Sequence, residues 1–165
     1  MKNIIKVLFC IYCLLLIWII LLKASFTFEQ ITWLFGTRSV NLIPFHYEDV
    51  VAFQVEEVVS NLIIFIPFGL YLKMLGVSSK KAILYGFGCS LLFEVCQFVF
   101  AIGASDITDL ITNTFGAIVG VSSYQFLELC FRDKNKINKI ITIFAGIVTI
   151  SIILLAILLF VANYK

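Results

Sequence analysis

Five separate apolar stretches, each long enough to cross a lipid bilayer as a helix, constrain this chain more than any other feature. They cover residues 4–22, 58–76, 82–102, 107–129 and 140–161. A hydrocarbon layer about 30 Å thick needs roughly 20 mostly apolar residues for each helical crossing. Little chain remains for a soluble domain. The sequence therefore predicts an all-α, polytopic integral membrane protein, with about five transmembrane helices in one domain over residues 1–165.

Composition supports an apolar solvent. Hydrophobic residues make up 62% of the chain and charged residues 13%, whereas a soluble domain has about 45–50% and about 25%. The net charge of +2 is too small to indicate a nucleic-acid partner. The five cysteines lie in or beside apolar stretches and lack the spacing of a disulfide framework. We interpret Cys10 and Cys13 as packing residues, although they form a C-x-x-C.

The positions of the basic residues predict an orientation. The stretch over residues 4–22 is longer than the apolar part of a usual signal peptide and is followed by a poor cleavage site, so we expect a retained helix. Lys and Arg are enriched in cytoplasmic loops. With the N-terminus in the cytoplasm and the C-terminus outside, nine basic residues lie inside: Lys2, Lys6, Lys73, Lys80, Lys81, Arg132, Lys134, Lys136 and Lys139. Three lie outside: Lys23, Arg38 and Lys165.

Residues 23–57 are then an extracytoplasmic loop. The loop contains Asn41-Leu-Ile-Pro-Phe45, where Pro44 restricts the preceding residue and favours a fixed turn. The valine-rich segment that follows, up to Val58, has the pattern of a short interfacial helix.

Six polar residues lie in or beside the apolar stretches, and three of them are acids. Carboxylates in a bilayer interior are costly and usually mark functional sites. In this topology all six lie toward the extracytoplasmic end, beneath the loop with Asn41, Pro44 and Phe45. Spacings of three and four residues place several of them on shared helix faces. We therefore predict one polar pocket formed by Asn61, Glu94, Gln97, Asp106, Asp109 and Asn113.

A structural role is an open alternative for most of these residues. Asn61 and Gln97 are also typical of simple hydrogen bonds between membrane helices. Asp106 has the position of an N-cap and Asp109 lies in the first turn of a helix, where the dipole favours an acid. Glu94 is the member that a structural role explains least. Gly116-x-x-x-Gly120 has the form of a close helix contact.

Several segments together resemble the VanZ-like family in order and spacing, over roughly residues 10 to 120. They are Asn41-Leu-Ile-Pro-Phe45, Asn61-Leu-Ile-Ile-Phe-Ile-Pro-Phe-Gly69, Glu94-Val-Cys-Gln97, Ala101-Ile-Gly-Ala-Ser-Asp-Ile-Thr-Asp109 and Asn113-Thr-Phe-Gly116. The resemblance implies a protein of the cell membrane of Gram-positive bacteria that confers low-level resistance to the glycopeptide antibiotic teicoplanin. Many family members have an arginine just before Asp-x-x-Asp, where this chain has Ala104-Ser105. An Arg–carboxylate pair is therefore not expected here, and a role in phosphate binding is not carried over.

Three functions remain open from the sequence. The first is a non-enzymatic resistance factor whose outward pocket engages a membrane lipid, a lipid-linked cell-wall precursor or teicoplanin itself. The second is a membrane enzyme, with Glu94 as general base and a metal ion on Asp106 and Asp109, and the third is a proton-coupled carrier. Recognised catalytic motifs are absent, so the first is favoured, with no cofactor and no metal expected. The oligomeric state is left open.

Overall fold

The protein is described by a computed structural model that covers residues 1–22, 25, 35–45 and 51–163. Within these residues, five helices and two short strands follow one another: α1 (Lys2–Ile20), β1 (Thr37–Asn41), α2 (Val51–Met74), α3 (Ser79–Phe100), β2 (Ile102–Asp106), α4 (Ile107–Phe131) and α5 (Lys134–Asn163). All five helices are long and apolar enough to cross a membrane. The prediction of an all-α, polytopic membrane protein is confirmed, whereas the orientation of its termini stays a prediction.

The distribution of side chains is that of a protein dissolved in lipid. Large apolar side chains cover the outside of the bundle, such as Leu14 on α1, Leu84 on α3 and Phe144 on α5, which are 67%, 63% and 68% exposed. Polar side chains, in contrast, are buried between helices: Ser90, Glu94, Gln97, Thr108, Thr112, Asn113 and Thr149. Water would reverse this arrangement, because burial of apolar surface drives folding there.

Helices α2 and α4 make the most extensive contact in the bundle, and glycine makes it possible. A Cβ atom at Gly116 would collide with the Leu62 carbonyl oxygen, and one at Gly120 with the Ile66 carbonyl oxygen. From the other side, Gly69 lies equally close to the backbone of Ala117. The predicted helix contact through Gly116 and Gly120 is confirmed, since small residues allow two backbones to approach within a membrane.

Helices α1 and α5 lie at the edge of the α2–α3–α4 core. They are the most apolar of the five, with mean hydropathies of 2.5 and 3.0 over their most apolar windows. Leu16 of α1 joins a buried cluster with Phe65 and Phe68 of α2. A second cluster, nearer the opposite ends of these helices, contains Ile5, Tyr71, Met74, Tyr124 and Ile137.

The two strands form a small parallel sheet that the sequence did not predict. Thr37 pairs with Ile102, and the register continues to Asn41 opposite Asp106. Helix α3 ends because Ala101 adopts a left-handed conformation (φ 55°), and Gly103 supplies a second positive φ of 116° within β2. These two residues turn the chain into an extended segment before α4 begins.

The start of α2 also differs from the prediction. The segment before residue 58, expected as a separate interfacial helix, is continuous with the membrane helix from Val51. It holds no proline or glycine, and Gln54, Glu56 and Glu57 are good helix formers. Nothing in this segment therefore interrupts the helix before it enters the bundle.

Candidate functional site

The carboxyl ends of the two parallel strands bring the first pair of predicted residues together. Asn41 is the last residue of β1 and Asp106 the last of β2, and they are register partners. The Asn41 side-chain amide donates a hydrogen bond to Asp106 Oδ2 over 3.0 Å. The Asn41 side-chain oxygen accepts from the backbone N–H of Ile43 at 3.1 Å, which orders the turn after the strand.

Asp106 is also the N-cap of α4. Its Oδ1 accepts a hydrogen bond of 2.7 Å from the Thr108 backbone N–H, which is one of the unpaired donors of a helix start. Both carboxylate oxygens are therefore engaged, one by the helix and one by Asn41. The interpretation of Asp106 as a helix cap is confirmed, and the same residue lies within the cluster predicted as a pocket.

Glu94 lies in the last two turns of α3, and its side chain reaches the junction of β2 and α4. Its Oε2 accepts from the Asp106 backbone N–H at 2.8 Å, and its backbone carbonyl accepts from Ser105 Oγ at 2.8 Å. The side chain is only 8% exposed. The carboxylate of Glu94 thus receives a donor from β2 at the junction with α4.

The third acid, Asp109, contacts α2. The Asn61 side-chain amide donates to Asp109 Oδ1 at 2.7 Å, a short hydrogen bond of the charge-assisted kind. One residue earlier, the fully buried Thr108 accepts at Oγ1 from the backbone N–H of Phe45 at 3.0 Å. The first turn of α4 is thereby tied to α2 and to the segment after β1.

We call Asn41, Asn61, Glu94, Asp106 and Asp109 the polar cluster. Its members come from β1, α2, α3, β2 and α4, and each of the three acids accepts a hydrogen bond from another member. Two of these bonds are donated by side-chain amides and the third by the Asp106 backbone, so the three carboxylates accept from donors on β1, α2 and β2. Within the described residues, no group of three His, Cys, Asp or Glu side chains has the arrangement to hold a metal ion.

Gln97 and Asn113 were predicted in the same pocket but bond elsewhere. Gln97 donates to the carbonyl oxygen of Ile20 on α1, at 3.5 Å, and Asn113 donates to Ser90 Oγ, at 3.0 Å. The side-chain oxygens of both residues are buried and accept no hydrogen bond from the described part of the protein. Buried polar atoms are normally paired, so these two oxygens are exceptions within the described part of the protein.

The segment Asn41-Leu-Ile-Pro-Phe45 lies beside the polar cluster, and its apolar side chains are exposed. Pro44 and Phe45 form a turn, with Phe45 in the left-handed region at φ 57°. Phe45 is 57% exposed, and the neighbouring Leu42 and Ile43 are 71% and 60% exposed. An exposed apolar rim therefore flanks the carboxyl ends of the two strands.

Three residues that form hydrogen bonds in or near the site were not predicted from the sequence. Ser90 is one helical turn before Glu94, so the spacing of four could have revealed it, and Thr108 lies between the two aspartates. Arg38 of β1 gave no signal, because its position depends on the strand pairing. Its guanidinium donates to the Val99 carbonyl oxygen at 3.3 Å and lies 5.1 Å from the centre of the Phe98 ring. A cation there is favourable at the carboxyl end of α3.

Comparison with known proteins agrees with the resemblance read from these motifs. The family model described as VanZ/LLP1 matches residues 9–131. The chain is 38% identical over 151 residues to Protein VanZ of Enterococcus faecium, and the alignment covers 89% of this chain and 88% of that protein. No solved structure matches.

Proposed function

This chain belongs to the VanZ/LLP1 family, and we propose that it is a cell-membrane protein that confers low-level resistance to the glycopeptide teicoplanin. In this proposal the polar cluster faces the extracytoplasmic side and acts on a lipid-linked species. That species is either the acyl-bearing antibiotic or the lipid-linked wall precursor that the antibiotic targets. The protein acts by binding and requires no reaction.

The convergence of Glu94, Asp106 and Asp109 at one end of the bundle is the observation that carries the proposal. Three acids within membrane-spanning helices or at their ends are costly to maintain, and such residues are usually kept for function. Ionised carboxylates only accept hydrogen bonds, so three of them in one cluster favour a ligand group that donates, such as an amine or hydroxyl. Both oxygens of Asp106 already accept hydrogen bonds, one from the start of α4 and one from Asn41, which favours a binding role over metal-dependent catalysis.

The surroundings of the polar cluster favour an amphiphile over a fully water-soluble ligand. The exposed rim of Leu42, Ile43 and Phe45 places apolar surface beside the polar groups, and an apolar rim of this kind typically marks an interaction surface. Teicoplanin carries a lipid chain and vancomycin does not. A membrane protein that recognises the chain together with polar groups would protect against the first antibiotic more than against the second.

The test is expression in a teicoplanin-sensitive Gram-positive host, with susceptibility to teicoplanin and vancomycin measured side by side. We expect higher tolerance to teicoplanin than in the host alone. The double variant Glu94→Gln, Asp109→Asn keeps side-chain oxygens that can accept from Asp106 N–H and from Asn61, but removes both charges. We expect it to return to the tolerance of the host alone.

Glu128→Gln is the matched control. It also removes one carboxylate from the helical bundle, but Glu128 pairs with Lys134 at 3.0 Å near the opposite end of α4. Its tolerance should equal that of the unchanged protein at equal membrane abundance. If the double variant also keeps full teicoplanin tolerance, the polar cluster has no part in the function.

A further inference from the structure

The two faces of β1 meet different surroundings. Side chains alternate along a strand, so Arg38 and Val40 lie on one face and Ser39 and Asn41 on the other. The Asn41 side chain bonds Asp106 in the polar cluster. The face with Arg38 and Val40, which we call the outer face of β1, is therefore turned away from that cluster.

The outer face of β1 continues the lipid-facing side of α3. Exposed apolar residues at helical spacing form that side of the helix: Leu84, Leu91, Val95 and Phe98. The Arg38 guanidinium lies 5.1 Å from the centre of the Phe98 ring and donates to the Val99 carbonyl oxygen at 3.3 Å. The strand therefore extends, at the end of α3, the surface through which the bundle already contacts lipid.

Exposed apolar side chains lie at both ends of the strand. Leu42 follows Val40 at the next alternate position and is 71% exposed, and Ile43 beside it is 60% exposed. Before the strand, Phe35 is 50% exposed. The rim beside the polar cluster is thus part of a longer apolar surface that runs from α3 along β1.

Hydrogen bonds fix the depth of this surface relative to α4. The Phe45 backbone N–H donates to Thr108 in the first turn of α4, and Asn41 bonds Asp106, the N-cap of that helix. The candidate span of α4 has 25 residues, which corresponds to about 37 Å at 1.5 Å per residue. A bilayer is about 30 Å thick in its hydrocarbon core and about 40–45 Å with its headgroups. The first turn of α4, and the rim bonded to it, therefore fall in a headgroup layer.

The charge of Arg38 suits that layer. Its guanidinium forms no ion pair with any carboxylate that the structure describes, so its charge is not neutralised by the neighbouring acids. Phosphate groups of lipids carry the complementary charge, and a guanidinium binds them through paired hydrogen bonds. Long basic side chains lay their apolar stems along apolar surface and keep the charge among the headgroups. Arg38 over the Phe98 ring has this arrangement.

From these features we propose that the outer face of β1 and the rim form an interfacial anchor in the leaflet at the β1–β2 end. Arg38 binds lipid phosphates, while Leu42 and Ile43 lie among the uppermost parts of the acyl chains. The partner is the lipid surface itself, so the proposal goes beyond the proposed function and is independent of the ligand of the polar cluster. With this anchor in place, only one strand separates the leaflet from Asn41 and Asp106.

Spin labels on single cysteines measure the depth of the anchor. The protein, with its five native cysteines replaced, is placed in phosphatidylglycerol nanodiscs. For each label, electron paramagnetic resonance gives the collision rates with oxygen, which concentrates in lipid, and with a water-soluble nickel complex. We expect the ratio of the oxygen rate to the nickel rate to be higher for Leu42→Cys and Ile43→Cys than for Ser39→Cys, on the opposite face of the same strand. It should be lower than for Leu92→Cys, which is 58% exposed in the middle of α3.

Two further outcomes would overturn the anchor. Ratios at Leu42 and Ile43 equal to the ratio at Ser39 would place the rim in water. Labels at both positions shielded from oxygen and nickel alike would show that protein, and not lipid, covers the rim. Both readings are made without antibiotic, so they are distinct from a failure of the host to gain teicoplanin tolerance.

Arg38→Lys and Arg38→Gln form a matched pair for the phosphate contact. Both replacements keep a donor for the Val99 carbonyl oxygen, but only Lys keeps the charge. With the label at Leu42, we expect Arg38→Lys to retain the depth and Arg38→Gln to become shallower. The difference should disappear in nanodiscs of digalactosyldiacylglycerol, a neutral lipid without phosphate. Equal depth of the two variants in phosphatidylglycerol, or an unchanged difference in the glycolipid, would overturn the assignment of Arg38 to lipid phosphates.

Discussion

Asp106 shows how one residue serves both the fold and the candidate site. Its side chain caps α4 and accepts from Asn41, while its backbone N–H donates to Glu94. The residue therefore joins β1, β2, α3 and α4 at a single point. A substitution here changes the folding of the helix start and the arrangement of the polar cluster together, unless it is chosen to keep the cap.

Asp106→Ala and Asp106→Asn separate these contributions. Asn caps a helix about as well as Asp, whereas replacing a cap by Ala costs about 0.5–2 kcal/mol. We expect Asp106→Ala to lower the unfolding temperature of the detergent-solubilised protein more than Asp106→Asn does, because Asn keeps the cap and loses only the oxygen that accepts from Asn41. Thermal unfolding followed by circular dichroism checks this. Equal losses in the two variants would contradict the assigned cap.

At the scale of elements, the contact of α2 with α4 is the structural axis of the bundle. It holds Asn61 against Asp109 because the two backbones approach through Gly69, Gly116 and Gly120. In a membrane there is little hydrophobic force between helices, so close packing carries much of their association. The glycines thus set the distance across which the polar cluster forms.

Alanine at Gly116 or Gly120 should force the helices apart. The added Cβ collides with a backbone carbonyl, which cannot rotate away as a side chain could. Overpacking of this kind typically costs 1–3 kcal/mol, and we expect a loss of about that size in the free energy of unfolding. Gly88→Ala on α3 is the control, since a Cβ there meets nothing within 4 Å. Denaturant unfolding in mixed micelles measures both, and a loss at Gly88 equal to that at Gly116 would refute the packing argument.

At the scale of the whole molecule, the bundle places its polar cluster at one end only, so its orientation decides what the site can meet. The distribution of Lys and Arg predicts that the β1–β2 end lies outside the cell. The Glu128–Lys134 ion pair near the junction of α4 and α5 would then lie toward the cytoplasm.

Cysteine accessibility in intact cells tests this orientation. In a background where the five native cysteines are replaced, Ser39→Cys on β1 and Lys136→Cys at the start of α5 are both placed at exposed positions. A membrane-impermeant maleimide should label Ser39→Cys on intact cells and label Lys136→Cys only after lysis. The reverse pattern would place the polar cluster in the cytoplasm and exclude an action on extracytoplasmic ligands.

The helices could be predicted from the sequence because the bilayer imposes a length and a composition on every crossing. Convergence of Asn61, Glu94, Asp106 and Asp109 also followed from helix spacing and from the order of crossings. Spacing assigns a residue to a helix face but does not identify the neighbour of that face. Gln97 therefore bonds α1, and Asn113 bonds Ser90, instead of joining the acids.

The strand pairing could not be predicted, for a different physical reason. Each strand has five residues, and their sequences, TRSVN and IGASD, show no regular alternation of apolar and polar side chains. Two short strands are marginal by themselves. Here they pair because the surrounding helices hold the two segments side by side, which is a property of the complete bundle.

The pairing of β1 with β2 sets the order in which parts of the site can form during synthesis. Asn41 and Asp106 lie 65 positions apart in the chain, and two membrane helices are synthesised between them. At translation rates of roughly 5–20 residues per second, β1 waits on the order of several seconds for its partner. During that interval the edge of β1 that later pairs with β2 has no partner strand. The candidate site therefore cannot assemble until β2 and the start of α4 have been synthesised, because a nascent chain arrested before Ile102 lacks both Asp106 and Asp109.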